Sequence, residues 1–122
     1  MKTHQYELID EKVFEHEFDN GLKLFIIPKP GFQKTYVTYT TQFGSLDNHF
    51  KPIGSQQFVK VPDGVAHFLE HKLFEKEDED LFTAFAEENA QANAFTSFDR
   101  TSYLFSATSN IESNIKRLLN MV

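Results

Sequence analysis

The chain has 122 residues, enough for one domain with a modest core. Its formal net charge of -6 argues against a nucleic-acid backbone as partner, and the absence of cysteine excludes disulfides, thiolate metal sites and cysteine nucleophiles. Apolar residues make up 40%, with 14 Phe and no Trp, a globular composition whose aromatic content reads chiefly as core; no apolar run is long enough to span a membrane.

The opening residues Met1 to Glu7 lack the apolar stretch of a signal peptide, so a cytoplasmic protein is expected. Residues 13–18 alternate and read as a strand. Asp19-Asn20-Gly21 is a turn signal, and the apolar run Leu22 to Ile27 completes a hairpin. Pro28, Pro30 and Gly31 end that run. Thr35 to Phe43, rich in β-branched and aromatic residues, reads as a third strand. Gly44 to Lys60, with Gly44, Pro52 and Gly54 among polar residues, reads as a long loop containing His49.

A helix is predicted over residues 62–75, with Pro62 in its first turn and Asp63 favourably placed on its dipole. The acidic run Glu75 to Asp80 reads as a solvated junction. A second helix is predicted over 79–90, with Leu81, Phe82, Phe85 and Ala86 on one face. Asn93 to Phe98 and Thr101 to Thr108 read as strands joined at Asp99-Arg100. A last helix is predicted over 110–121, capped by Asn110, with Ile111, Ile115, Leu118 and Leu119 at helical spacing. This order implies an α+β fold, with a mainly antiparallel sheet and helices packed on one face.

The informative segment is His67-Phe68-Leu69-Glu70-His71. At about 100° per residue, positions 67, 70 and 71 share one arc of a helix. Histidines at i and i+4 can chelate one ion, and a glutamate between them can reach a metal-activated water without being a ligand. The pattern is H-x-x-E-H, the inverzincin order. The competing reading is two histidines and a glutamate lining an ordinary helix face. Against it, the motif interrupts an apolar helix (Val65, Ala66, Phe68, Leu69, Leu73, Phe74), where titratable groups need partners.

Together with Pro62-Asp63-Gly64-Val65-Ala66 before the motif, Asn93-Ala94-Phe95-Thr96-Ser97 and Thr101-x-Tyr103 after it, and the leader from Asn20 to Pro30, the sequence resembles the pitrilysin/insulysin family of zinc metallopeptidases, which includes the mitochondrial processing peptidases. The resemblance covers essentially the whole chain. It implies that His67 and His71 bind Zn2+, that Glu70 activates water, and that a strand beginning Asn93-Ala94, continuing through Phe95 and Thr96, pairs with an extended peptide substrate. The implied activity is that of a zinc endopeptidase acting on peptides or small proteins.

The resemblance also implies a third zinc ligand, a glutamate lying further along than the roughly fifty residues after His71. A second homologous half would close the site. Residues 1–122 therefore read as the N-terminal part of a catalytic domain, inactive by itself. Glu75 is about 12 Å from His67 along a helix axis, too far for the same ion, and is expected to be solvated. Two other readings are a scaffold subunit of a heteromeric peptidase and a metal-dependent lyase sharing H-x-x-E-H. Degenerate scaffold members lack the motif that is intact here, and the lyase needs cysteines that this chain lacks.

Overall fold

A computed structural model describes residues 1–75 and 80–122. It divides into two compact units, Met1–Phe32 and Gln33–Val122. The first is a three-stranded antiparallel sheet in the order β1-β2-β3, with β1 Lys2–Tyr6, β2 Glu11–Glu17 and β3 Lys23–Ile26. The expected hairpin is β2–β3, with Phe14 opposite Ile26. Asn20 Oδ1 accepts the Leu22 N–H at 3.1 Å and Gly21 takes φ 85, which glycine adopts without steric cost. Strand β1 was not expected. Its residues are polar and exposed throughout, so it carries no alternation, and it is held by backbone pairing to β2 and by a 2.8 Å contact between His4 and Glu15.

The second unit contains β4 Thr35–Thr41, β5 His49–Phe50, β6 Val59–Lys60, α1 Val65–Phe74, α2 Leu81–Glu87, β7 Ala90–Thr96, β8 Thr101–Ala107 and α3 Ile111–Met121. Its main sheet is antiparallel in the order β4-β8-β7. One face presents Val37 and Tyr39, Ala90, Ala92 and Ala94, and Tyr103, Phe105 and Ala107 to a core completed by Phe74, Leu81, Phe85, Leu118 and Met121 of the helices. Strand residues two apart share a face, so this stripe follows from the sequence alternation. The described residues are thus α+β, with helices against one face of an antiparallel sheet. Phe85 and Phe105 are fully buried and stack at 5.8 Å.

Several boundaries differ from expectation for local reasons. The 44–60 segment is not structureless: β5 and β6 pair within it, and His49 lies opposite Lys60. Helix α1 starts at Val65, so Pro62 is not in its first turn. Gly64 occupies the N-cap position at φ 85, and Asp63 instead accepts a 2.8 Å hydrogen bond from the Asn48 amide. Asp80 does cap α2, accepting from the Phe82 N–H at 3.0 Å and the Thr83 hydroxyl at 3.0 Å. That helix ends early because Asn89 turns left-handed at φ 59, which starts β7 at Ala90 instead of Asn93. Asn110 precedes α3 but is itself left-handed at φ 55 and makes no side-chain cap. Of the acidic run, residues 76–79 lie outside the described residues. Glu75 is exposed and paired with Lys72 at 3.2 Å.

Candidate metal centre

Helix α1 joins the core through Phe74, with Leu73 packed against it, and Ala66 is buried. The expected apolar surroundings of the motif are only partly present. Phe68 and Leu69 are exposed, with Lys72 lying 5.8 Å over the Phe68 ring. The reason is angular: at about 100° per residue, Phe68 and Leu69 fall outside the arc that Ala66, Glu70 and Phe74 share.

His67 and His71 are both on the exposed side, with ring centroids 4.8 Å apart and Nε2 atoms 3.1 Å apart. Two imidazole nitrogens bound to one tetrahedral ion at about 2.0–2.1 Å stand roughly 3.3 Å apart. The pair therefore fits a single zinc through Nε2 with little adjustment. Glu70 Oε2 is 3.8 Å from His67 Nδ1, the ring nitrogen that is not paired with His71. The Glu70 side chain is only 12% exposed, against 61% for His67. Among the described residues no group of three or more His, Cys, Asp or Glu is arranged to hold a metal.

Strand β7 is an edge strand, and its Ala94 and Thr96 face α1. The Ser97 N–H donates to Arg100 O at 2.8 Å at the hairpin end. By the alternation of antiparallel pairing, the N–H and C=O groups of Ala92, Ala94 and Thr96 then point away from β8, along the free edge. The Ala94 N–H is met by Asn93 Oδ1 at 2.8 Å. Phe95 turns its side chain to the other, exposed face, while the exposed Asn93 side chain bends back to the strand edge. A cleft of about 390 Å³ lies between helix and edge, lined by Glu70, His71, Phe74, Phe82, Asn93 and Ala94.

Two relationships here were not visible in the sequence. The Thr96 hydroxyl donates to Glu70 Oε2, although Thr96 was expected only on the peptide-pairing strand. Tyr103, opposite Ala94 on β8, is buried near the same carboxylate. Burial, and secondarily the Glu70 charge, holds its phenol above the ordinary tyrosine range. The Thr101-x-Tyr103 spacing does not by itself place Tyr103 near Glu70.

The model of the insulinase family, peptidase family M16, matches residues 52–122. The chain belongs to that family. All of it aligns with the zinc protease YmfH of Bacillus subtilis, at 52% identity and over 28% of that protein's length. It is 33% identical over 96 residues to insulin-degrading enzyme of Mus musculus, covering 73% of this chain and 8% of that one. In three dimensions it is similar to the crystal structure of an M16-like peptidase from Alicyclobacillus acidocaldarius, with TM-score 0.81 and 39% identity over 91% of this chain and 26% of that structure. The chain thus spans roughly a quarter of the curated M16 relative that it matches along its whole length. The pitrilysin/insulysin resemblance read from the two motifs is this same family.

Proposed function

We propose that the M16 protein to which this chain contributes is a zinc-dependent endopeptidase, with His67 and His71 as ligands and Glu70 as general base. The observation that carries the reading is the 3.1 Å approach of the two Nε2 atoms beside a recessed carboxylate, on a helix facing a free strand edge. Zinc would supply a Lewis acid that polarises a carbonyl and lowers the pKa of water towards ~7. Glu70 accepts the proton of the attacking water and returns it to the departing amine. An extended peptide is held along β7 by main-chain hydrogen bonds to the outward groups of Ala94 and Thr96, which makes binding largely independent of side-chain sequence. Asn93 serves the same strand by meeting the Ala94 N–H until substrate replaces it, and Phe95 flanks the peptide from the exposed face.

A third ligand and a second, homologous half come from the rest of the longer protein in this reading, because catalytic zinc takes three protein ligands and the described residues offer two. The substrate is a peptide or small protein. Among the described residues no helix is long and apolar enough to cross a membrane; a cytoplasmic location belongs to the proposal and is compatible with the cysteine-free composition. The test uses the full-length protein, with metal analysis alongside hydrolysis of an unstructured peptide. About one zinc per site, with turnover abolished by chelation and restored by zinc, is expected. Hydrolysis that survives complete metal removal rejects the reading.

A further inference from the structure

Glu70 faces two opposed demands. It must stay near the histidines to serve as a base, yet a flexible carboxylate one turn from His67 and next to His71 in sequence can become a ligand itself, which would consume the base. One contact in the structure addresses that problem. The Thr96 hydroxyl donates to Glu70 Oε2, across 26 residues of sequence and from strand to helix.

The donor end is firmly placed. Thr96 ends β7, and the next residues form a hairpin seated on the 44–47 loop: Ser45 N–H donates to Ser97 O at 2.9 Å and Leu46 N–H to Phe98 O at 3.1 Å. Gly44 permits that approach, since a Cβ there would lie 2.4 Å from the Phe98 carbonyl. The Thr101 hydroxyl, opposite Thr96, donates to Phe43 O at 2.7 Å and ties β8 to the same loop. A β-branched side chain on so fixed a backbone has few rotamers, so its hydroxyl is a stationary donor. The acceptor end is the helix residue that flanks His67 on the side away from His71, about 60° round the helix axis.

We propose that Thr96 is a positioning residue: its hydroxyl tethers the Glu70 carboxylate over the end of β7 and keeps it from joining His67 and His71 as a ligand. The inference rests on the zinc-peptidase reading for its kinetic consequence, but the metal-binding consequence follows from the tether alone. Releasing the carboxylate both misplaces the base and offers the ion an additional oxygen. Activity and metal affinity should therefore move in opposite directions, which a simple packing defect would not produce.

The experiment compares wild type, Thr96→Val and Thr96→Ser in the full-length protein. The valine variant is close to isosteric, and the serine variant keeps the hydroxyl. For Thr96→Val, kcat should fall about 100-fold, the size of effect that a misplacement near 1 Å produces, with KM unchanged and zinc fully loaded. Zinc affinity, measured by chelator competition, should rise on the order of 10-fold, the scale of outer-shell effects on metal sites. Thr96→Ser should restore both. Wild-type kcat in Thr96→Val overturns the proposal. So does a kcat loss that serine fails to reverse, or a zinc affinity that is unchanged or lower. If the wild type binds zinc but hydrolyses no peptide, the functional reading fails, and the affinity comparison still decides the tether.

Discussion

His67 and His71 direct their Nε2 atoms at each other across one turn of α1, 3.1 Å apart. Without a metal, one ring must donate the proton that the other accepts. With an ion between them, both lone pairs are used. In the full-length protein, His67→Ala should therefore remove most bound zinc and peptide hydrolysis together, measured by elemental analysis and peptide cleavage on the same sample. A variant that keeps stoichiometric zinc would remove His67 from the ligand set.

Glu70→Gln separates chemistry from binding. The amide keeps the size and can still accept from Thr96, but it cannot take a proton from water. Zinc content should be unchanged while kcat falls by about 10²–10⁴, the usual cost of losing a general base. Near-normal turnover would assign the base to another residue.

The isolated 122-residue chain offers two histidine ligands and no assembled third among the described residues. Each absent ligand removes a bond and part of the geometry that excludes solvent. After dialysis it should hold well under one zinc per chain and should not cleave an unstructured peptide. Tightly held stoichiometric zinc with robust turnover would show that the site is complete within these residues.

Phe105 is fully buried on the central strand β8 and stacks on Phe85 of α2. Phe105→Ala should cost about 3–5 kcal/mol, the range for an aromatic deleted from a core that cannot collapse around the gap. Phe98→Ala, at an exposed hairpin tip, should cost far less. Urea melts of the two variants make the comparison.

Tyr103 gives the alkaline response a defined sign. Its proton is held more tightly in the folded chain, by burial first and by Glu70 second. The associated stability is full below the ordinary phenol pKa of about 10 and is lost as pH rises through the folded value. Urea melts between neutral pH and the alkaline range should show wild type losing more stability than Tyr103→Phe. Equal losses would exclude Tyr103 as the source.

Local periodicity carried a large part of the architecture. Leu81 and Phe85, and Leu118 with Ile111 and Ile115, mark buried faces found in the structure, whereas Phe82, Ala86 and Leu119, expected on the same faces, are exposed because each helix buries a narrower stripe than its apolar residues span. These patterns are legible because each helix or strand must turn a regular stripe towards one core. Strand β1 leaves no hydrophobic pattern in the sequence, because an exposed edge strand needs only its backbone to pair. The start of α1 and the end of α2 depended on the left-handed turns at Gly64 and Asn89, which hydrophobic spacing does not encode.

The same division runs through the candidate site. The i, i+4 spacing of His67 and His71, with Glu70 about 60° round the helix from His67 on the side away from His71, follows from helix geometry within five residues, so the sequence by itself determined that these groups share an arc and suggested zinc chemistry. Family membership was equally a property of the chain's residues in order. Only the tertiary structure decided that the arc is exposed while Glu70 is recessed, that β7 is an edge with Ala94 and Thr96 facing α1, and that the Thr96 hydroxyl meets the carboxylate. The physical reason is range: a helical turn is set by neighbouring dihedrals, whereas a hydrogen bond between residues 26 apart exists only once the sheet, hairpin and loop have packed into one arrangement.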